Sequence, residues 1–335
     1  MFSKELLQTS NYNKVITGAW TSTGQIGDSG AISIVYGNDI TYGECFYCCD
    51  NYGNQYSSTD GISWTALGGY DSALYEHCRV FYLNNRFFCF MTARTLDRVH
   101  FNYTPYASVD LPDSANCTID GACYFNNKYY IAGKQVIDQT YTGFVRNSED
   151  LVNWSDPVYI NTNNNYINSM ACNDNTIVIS TVDGVFSSTD GNLFTKTFTG
   201  YYRYPKVIYA KDRFILVELN TYGLRLYQSF DGYEWTTTLT YFNRFSGFKS
   251  ICYGLDKLVM AANVNNSSLG SENQYNALFY ESLDPNNPIS VGWKTHNVST
   301  TNGVDDIAYG NGRFVAVNGN SPYTNVCAYK LWGIE

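Results

Sequence analysis

The chain alternates short apolar runs with glycine- and asparagine-centred polar breaks, and the same composite pattern returns along most of its length. The clearest copy is "DDIAYGNGRFVAV" (305–317), in which two β-prone runs flank Gly310-Asn311-Gly312. Apolar runs of four to six residues separated by such a pair predict a β-hairpin. Related stretches are "SIVYGNDITYGECFYCC" (33–49), "RVFYLNNRFFCFM" (79–91), "GACYFNNKYYIAG" (121–133), "SMACNDNTIVIS" (169–180), "KVIYAKDRFILVE" (206–218) and "SICYGLDKLVMAA" (250–262). Aligning them puts Tyr36, Tyr82, Tyr124, Cys172, Tyr209, Tyr253 and Tyr309 in one column, 37 to 56 residues apart. About 40–50 residues is the length of one four-stranded propeller blade.

A second motif falls late in each unit. "SSTDGISW" (57–64) and "SSTDGNLF" (187–194) are nearly the same eight letters, with relatives at 148–154 ("SEDLVNW") and 229–235 ("SFDGYEW"). A stretched copy, "SLDPNNPISVGW", runs from Ser282 to Trp293. In a tight turn the Asp can accept backbone N–H groups, and the Gly supplies a positive φ. The aromatic three positions on can then fold into the layer between neighbouring sheets. The predicted turn staples are Asp60 with Trp64, Asp150 with Trp154, Asp190 with Phe194, Asp231 with Trp235, and Asp284 with Trp293.

These Ser-x-Asp-Gly-x-x-aromatic turns resemble the Asp-box, or BNR repeat, of sialidase-like β-propellers. Their pairing with "YGNGRFVAV" hairpins is similar to propellers of bacteriophage virion and tail proteins. The resemblance covers about residues 30–335 and implies an all-β, single β-propeller fold; the seven hairpin copies and the incomplete last unit predict seven blades closed by the N-terminal strand, with six or eight blades as the alternatives. The expected blades are about 31–69, 77–112, 117–160, 168–200, 205–242, 249–299 and 305–335. Segment 1–30, through the strand-like "YNKVITGAW" (12–20), completes the last blade. Such closure hides two sheet edges at once. The second unit ("FNYTPYASVDLP") has lost the turn motif, and the last unit stops before it.

Composition narrows the partners. Of 335 residues, 17% are aromatic, 31 of them tyrosine, and only 15% are charged, which describes a folded chain. A net charge of −9 argues against nucleic acid, whose phosphates attract basic surfaces. No run reaches the ~18 apolar residues of a membrane span, so no membrane insertion is expected. The start shows no secretory h-region; the expectation is synthesis in a host cytoplasm and residence in a virion. The ten cysteines sit mostly inside strand-like runs and are expected to be buried free thiols.

Catalytic signals are sparse. The sialidase resemblance implies an arginine cluster and a Phe/Tyr-Arg-Ile-Pro motif before the first Asp-box. Here "YRYP" (202–205) lies mid-chain, and Arg86, Arg213 and Arg313 share one hairpin position, as structural repeats do. Glu76, Glu218, Glu234 and Glu281 remain as unpaired acids, whereas a glycosidase needs two carboxylates about 5–10 Å apart. No catalytic residue, cofactor or metal ligand is assigned. The expected binding residues lie in two inter-blade loops: Tyr201, Tyr202, Arg203 and Tyr204 in "TGYYRYPK", and Tyr241, Phe242 and Arg244 in "TYFNRF". Arginine between aromatics can stack and still donate hydrogen bonds. The expected function is a non-enzymatic recognition or adhesion module of a phage virion (tail fibre, tail tip or capsid appendage). It would bind a host-surface glycan or protein and contact other virion proteins. A structural virion scaffold and a sialidase-like glycoside hydrolase are the alternatives.

Overall fold

Paired residues with positive φ close the hairpins. Asn84-Asn85, Asn126-Asn127, Lys211-Asp212, Leu255-Asp256 and Asn311-Gly312 each place two consecutive residues in the left-handed region. That geometry matches the right-handed twist of the strands it joins. The computed structural model describes residues 20–24, 26, 30–68, 75–93, 99–103, 107–112, 116–160, 166–200, 203–220, 223–238, 247–265, 275–282, 293–299, 303–318 and 326–330. Every regular element among them is a strand, and the 28 strands form seven four-stranded antiparallel sheets.

Each sheet is an up-and-down blade of a β-propeller. Blade 1 comprises Ser33–Asp39, Gly43–Cys49, Gln55–Ser58 and Thr65–Gly68; blade 2, Tyr75–Leu83, Arg86–Ala93, Val99–Tyr103 and Ala107–Asp110. Blade 3 is Cys117–Phe125, Lys128–Ile137, Thr140–Ser148 and Val158–Ile160; blade 4, Ile167–Cys172, Ile177–Thr181, Gly184–Ser188 and Thr195–Thr199. Blade 5 is Arg203–Ala210, Arg213–Asn220, Gly223–Ser229 and Thr236–Thr238; blade 6, Gly247–Gly254, Lys257–Asn265, Tyr275–Ser282 and Trp293–Ser299. Blade 7 takes Asp306–Gly310, Arg313–Val317 and Val326–Lys330 from the C-terminal end and Trp20–Gly24 from the N-terminal end. That last strand pairs Trp20 with Tyr329 and Gly24 with Val326. The pairing segment thus begins where the apolar run 12–20 ends; the rest of that run lies outside the described residues.

The first strand of every blade touches the first strands of the blades on both sides, so the inner strands run round a common axis. The core sits between blades. Seven apolar clusters are present among the described residues, each drawing on two adjacent blades, one per junction. A sheet packed on both faces needs apolar side chains on both. Ile177–Thr181 and Gly184–Ser188 are accordingly buried at every position, while the outer strand Thr195–Thr199 is largely exposed.

The tyrosine column explains how neighbours fit. A Cβ added to Gly37 would lie 2.2 Å from the Tyr82 ring, one at Gly254 2.1 Å from Tyr309, and one at Gly310 2.0 Å from Tyr36. Each ring therefore lies flat on the glycine that follows the tyrosine of the preceding blade. In blade 3 that following residue is Phe125, and the next anchor is Cys172, packed on the cluster that Phe125 belongs to. At these four junctions a large residue on one side is matched by a small one on the other. Nine of the cysteines are described, all of them free thiols. Burial pushes the Cys45 thiol up to about 11 and that of Cys117 up to about 12.

Candidate functional site

The Ser-x-Asp-Gly-x-x-aromatic turns lie on one face of the ring. In blade 1, Asp60 Oδ1 accepts the N–H groups of Ile62 and Ser63, both at 2.8 Å, and the Ser58 hydroxyl at 2.9 Å; Gly61 N donates to Ser58 Oγ. The same arrangement recurs at Asp150, Asp190 and Asp231. Trp64, Trp154, Phe194 and Trp235 each pack against the cluster shared with the preceding blade. The side chains are half-buried, and the Trp235 indole N–H donates to Gly232 O at 3.1 Å. Asp284 and the Trp293 side chain lie outside the described residues.

In an antiparallel four-stranded blade the first hairpin turn and the turn between the third and fourth strands fall at one end. The blade-to-blade loops and the turn between the second and third strands fall at the other. The start of each inner strand therefore opens on the loop face. Three residues before each anchor stand Ser33, Arg79, Gly121, Ser169, Lys206, Ser250 and Asp306, one per blade. Several of these close the ring. Val80 N donates to Ser33 Oγ (3.2 Å), Val207 N to Ser169 Oγ (2.6 Å) and Ile34 N to Asp306 Oδ2 (3.0 Å), each across a blade junction. Asp306 also accepts Ser33 Oγ, Ser250 Oγ and Ile307 N. Gly121 has no side chain to offer because a Cβ there would meet Met170 N at 2.7 Å. A register shift between Ile119 and Gly121 brings in the preceding Asp120 instead.

Asp120 faces His77 Nε2 at 3.1 Å and accepts the Thr118 hydroxyl at 3.0 Å. Burial alone would make the carboxyl a weaker acid, but His77, with Arg79 and Lys206 nearby, holds it well below the usual range. It is a fixed negative charge, not a proton donor. Burial lowers the Lys206 ammonium, Arg79 lowers it further, and Asp306 and Asp120 oppose them. Lys249 and Asp305, each one position earlier in the sequence, pair at 3.2 Å.

Beside this ring, on the loop face of blades 3 to 5, lies an aromatic group. Lys134 Nζ sits 5.2 Å from the ring centroids of both Tyr141 and Tyr166, and the two rings meet edge to face at 6.1 Å. Burial raises the Tyr166 hydroxyl, and the nearby Tyr204, Asp120 and Tyr141 raise it further. Tyr159 donates to Gln135 Oε1 at 3.0 Å. Tyr141 is 45% exposed and Tyr204 62%. Tyr204 also holds φ +52°, next to a register shift between Arg203 and Lys206. A positive φ on a bulky residue costs on the order of 1–3 kcal/mol and concentrates at functional sites. Such a surface offers ring faces, hydroxyls and one centred cation to a flat polar ligand.

Of the binding residues read from the loops, Tyr204 stands exposed at this group and Arg203 opens the inner strand of blade 5, its side chain outside the described residues. Tyr201, Tyr202, Tyr241, Phe242 and Arg244 lie outside them as well. Sequence reasoning passed over Lys134 and Tyr141, whose signal was the positive-φ turn Asp138-Gln139 directly before Tyr141. It also passed over the axial ring, although the column three places before each anchor was there to be aligned.

No family model and no curated protein sequence matches this chain. By structure it is similar to virginiamycin B lyase from Staphylococcus aureus, with TM-score 0.64, 10% identity and coverage of 94% of this chain and 99% of that one. It is similar to YCF48 bound to D1 peptide, with TM-score 0.62, 10% identity and coverage of 94% and 97%. The GH74 xyloglucanase from Xanthomonas campestris (Xcc1752) matches with TM-score 0.61, 10% identity and coverage of 95% and 54%. Likeness at this identity is likeness of fold.

Proposed function

We propose that this chain is a recognition propeller, a non-enzymatic module of a phage virion that seats a host-surface glycan on its loop face and joins other virion proteins. The observation that supports it most is the Lys134–Tyr141–Tyr166 group beside the exposed Tyr204. Ring faces take the apolar face of a pyranose, while hydroxyls and the ammonium take its polar edge. Tyrosine does this at a low entropic cost, having few rotatable bonds to fix. The virion setting rests on the resemblance of the Asp-box turns and paired hairpins to phage propellers. Asp120, whose charge is felt at Tyr166, lies 3.1 Å from His77 and is held in its charged form, which suits holding a ligand better than protonating a leaving group.

The test is a glycan array probed with the purified chain, followed by titration of the strongest saccharide against Lys134→Met and Tyr141→Ser. Either substitution should weaken binding at least tenfold, about 1.4 kcal/mol, with unchanged urea midpoints. Binding that both variants keep would move the site off this face, and turnover of a glycoside by the wild-type chain would replace recognition with hydrolysis.

A further inference from the structure

The junction between blades 3 and 4 brings two thiols together. A Cβ on Gly121 would lie 2.7 Å from both Cβ and N of Met170, so the inner strands Cys117–Phe125 and Ile167–Cys172 touch backbone to backbone at that point. Both strands run from the loop face towards the turn face. Two residues further along each stand Cys123 and Cys172. Side chains alternate across a strand. Ala122 accordingly packs towards blade 2 and Ala171 towards blade 5, while Cys123 and Cys172 both enter the cluster between blades 3 and 4. Cys172 Sγ donates to the carbonyl of Tyr124, the neighbour of Cys123, at 3.2 Å. The two thiols also hydrogen-bond one another. That bond lowers the Cys172 thiol, whereas burial raises the Cys123 thiol well above its ordinary value. Their exposure differs in the same sense. Cys123 is 4% exposed, but Cys172 is half-buried and leads into the exposed Asp174 and Asn175. Cys45, Cys48, Cys49, Cys78 and Cys89 are buried beyond the reach of a dissolved oxidant.

We propose that Cys172 and Cys123 form a redox-modification site, at which a small disulfide of the glutathione class oxidises the pair to a disulfide joining blades 3 and 4. An accessible attacking sulfur beside a shielded resolving one is the arrangement such exchange requires. Cys172 attacks as the thiolate. The S–S bond of glutathione disulfide breaks, a Cys172–glutathione bond forms, and the departing glutathione takes up the proton that Cys172 gave up. Cys123 then attacks the Cys172 sulfur and passes its own proton to the second glutathione as it leaves. Two protein thiols are thereby oxidised, and one glutathione disulfide is reduced to two thiols. The pair stays open in a reducing compartment and closes in an oxidising one. Lys134 and Tyr141 belong to blade 3 and Tyr166 to the loop entering blade 4, so the bond ties together the two blades that carry the aromatic group. This goes beyond glycan seating and does not depend on it.

The test uses the full chain, purified reduced and incubated with glutathione disulfide. Remaining thiols are alkylated, and peptides are mapped by mass without reduction. Wild type should yield the Cys123–Cys172 cross-linked peptide. Its melting temperature should rise by a few degrees, because a cross-link that closes a long loop restricts the unfolded chain, and dithiothreitol should reverse both changes. Cys123→Ser should stop at the Cys172–glutathione adduct, and Cys172→Ser should form neither the adduct nor the cross-link. Cys252→Ser removes the other half-buried thiol among the described residues and should cross-link as wild type does. Absence of the cross-linked peptide, or its formation only in urea, would overturn the proposal, as would glutathione uptake at Cys123 in Cys172→Ser. Should either serine variant fail to fold, the wild-type peptide map still decides the matter. Failure here leaves the Lys134 and Tyr141 experiment untouched.

Discussion

Replacing Gly37 with alanine tests the way neighbouring blades interlock. The added Cβ would fall 2.2 Å from Tyr82 Cδ2 and 2.4 Å from Cε2, where carbon atoms need about 3.5–4.0 Å. The ring must therefore retreat by more than 1 Å. Its hydroxyl would then leave the Asn38 carbonyl, now 2.9 Å away, and Asn85 Oδ1 at 3.1 Å, and the ring would lose its packing on Phe87. Overfilling of this kind costs about 1–3 kcal/mol, and the lost hydrogen bond about 1 more. Restricting the unfolded chain returns roughly 0.4–1. The net expectation is a loss of about 2–3 kcal/mol by equilibrium urea unfolding. In a Tyr82→Ala background the same Gly37→Ala change meets no ring and should be neutral or slightly stabilising, giving a coupling of about 2–3 kcal/mol across the cycle. Additive effects, or a single-variant cost below about 0.5 kcal/mol, which is the scatter of ordinary surface changes, would refute the interlock.

Two further outcomes follow from the aspartate-closed turns and the axial ring. Leu151 takes the left-handed position that glycine holds in the sister turns, with φ +67°, and buries its side chain in the cluster between blades 2 and 3. Leu151→Gly relieves about 1–2 kcal/mol of strain but empties a site whose truncation costs about 2–5, so the variant should be less stable; a higher urea midpoint would contradict that balance. Asp60, Asp120, Asp190 and Asp231 all have carboxyls held below their ordinary values in the fold. Groups with depressed folded values stabilise above the unfolded value, near 4, and lose that contribution as the pH falls through the folded one. The urea midpoint should thus be flat from about pH 7 to 5 and fall below about pH 4. Asp120→Asn should be less stable at neutral pH and fall less steeply in acid, and an identical acid slope would remove Asp120 from the account.

What could be read from the sequence alone is what is local in it. Each aspartate-closed turn is held by bonds between residues two and three apart, as Asp60 is with Ile62 and Ser63, so eight letters carry all its chemistry. The hairpins depend on pairs such as Asn126-Asn127 adopting left-handed φ, which is also a local property. Repeating those two units every 40 or so residues implies blades and hence a propeller. Other features needed the ring. Cys172 stands where the other six units have tyrosine because Phe125, 47 positions earlier, already fills the junction. Asp120 reaches the axis through a register shift that no local pattern announces. Lys134, Tyr141 and Tyr166 meet because a turn of blade 3 and the loop entering blade 4 open on the same face. Arg79 and Lys206, 127 residues apart, come into each other's field only when the inner strands surround one axis. Short-range hydrogen bonding is written in adjacent letters, whereas volume matching and charge convergence belong to residues that only the folded chain brings together.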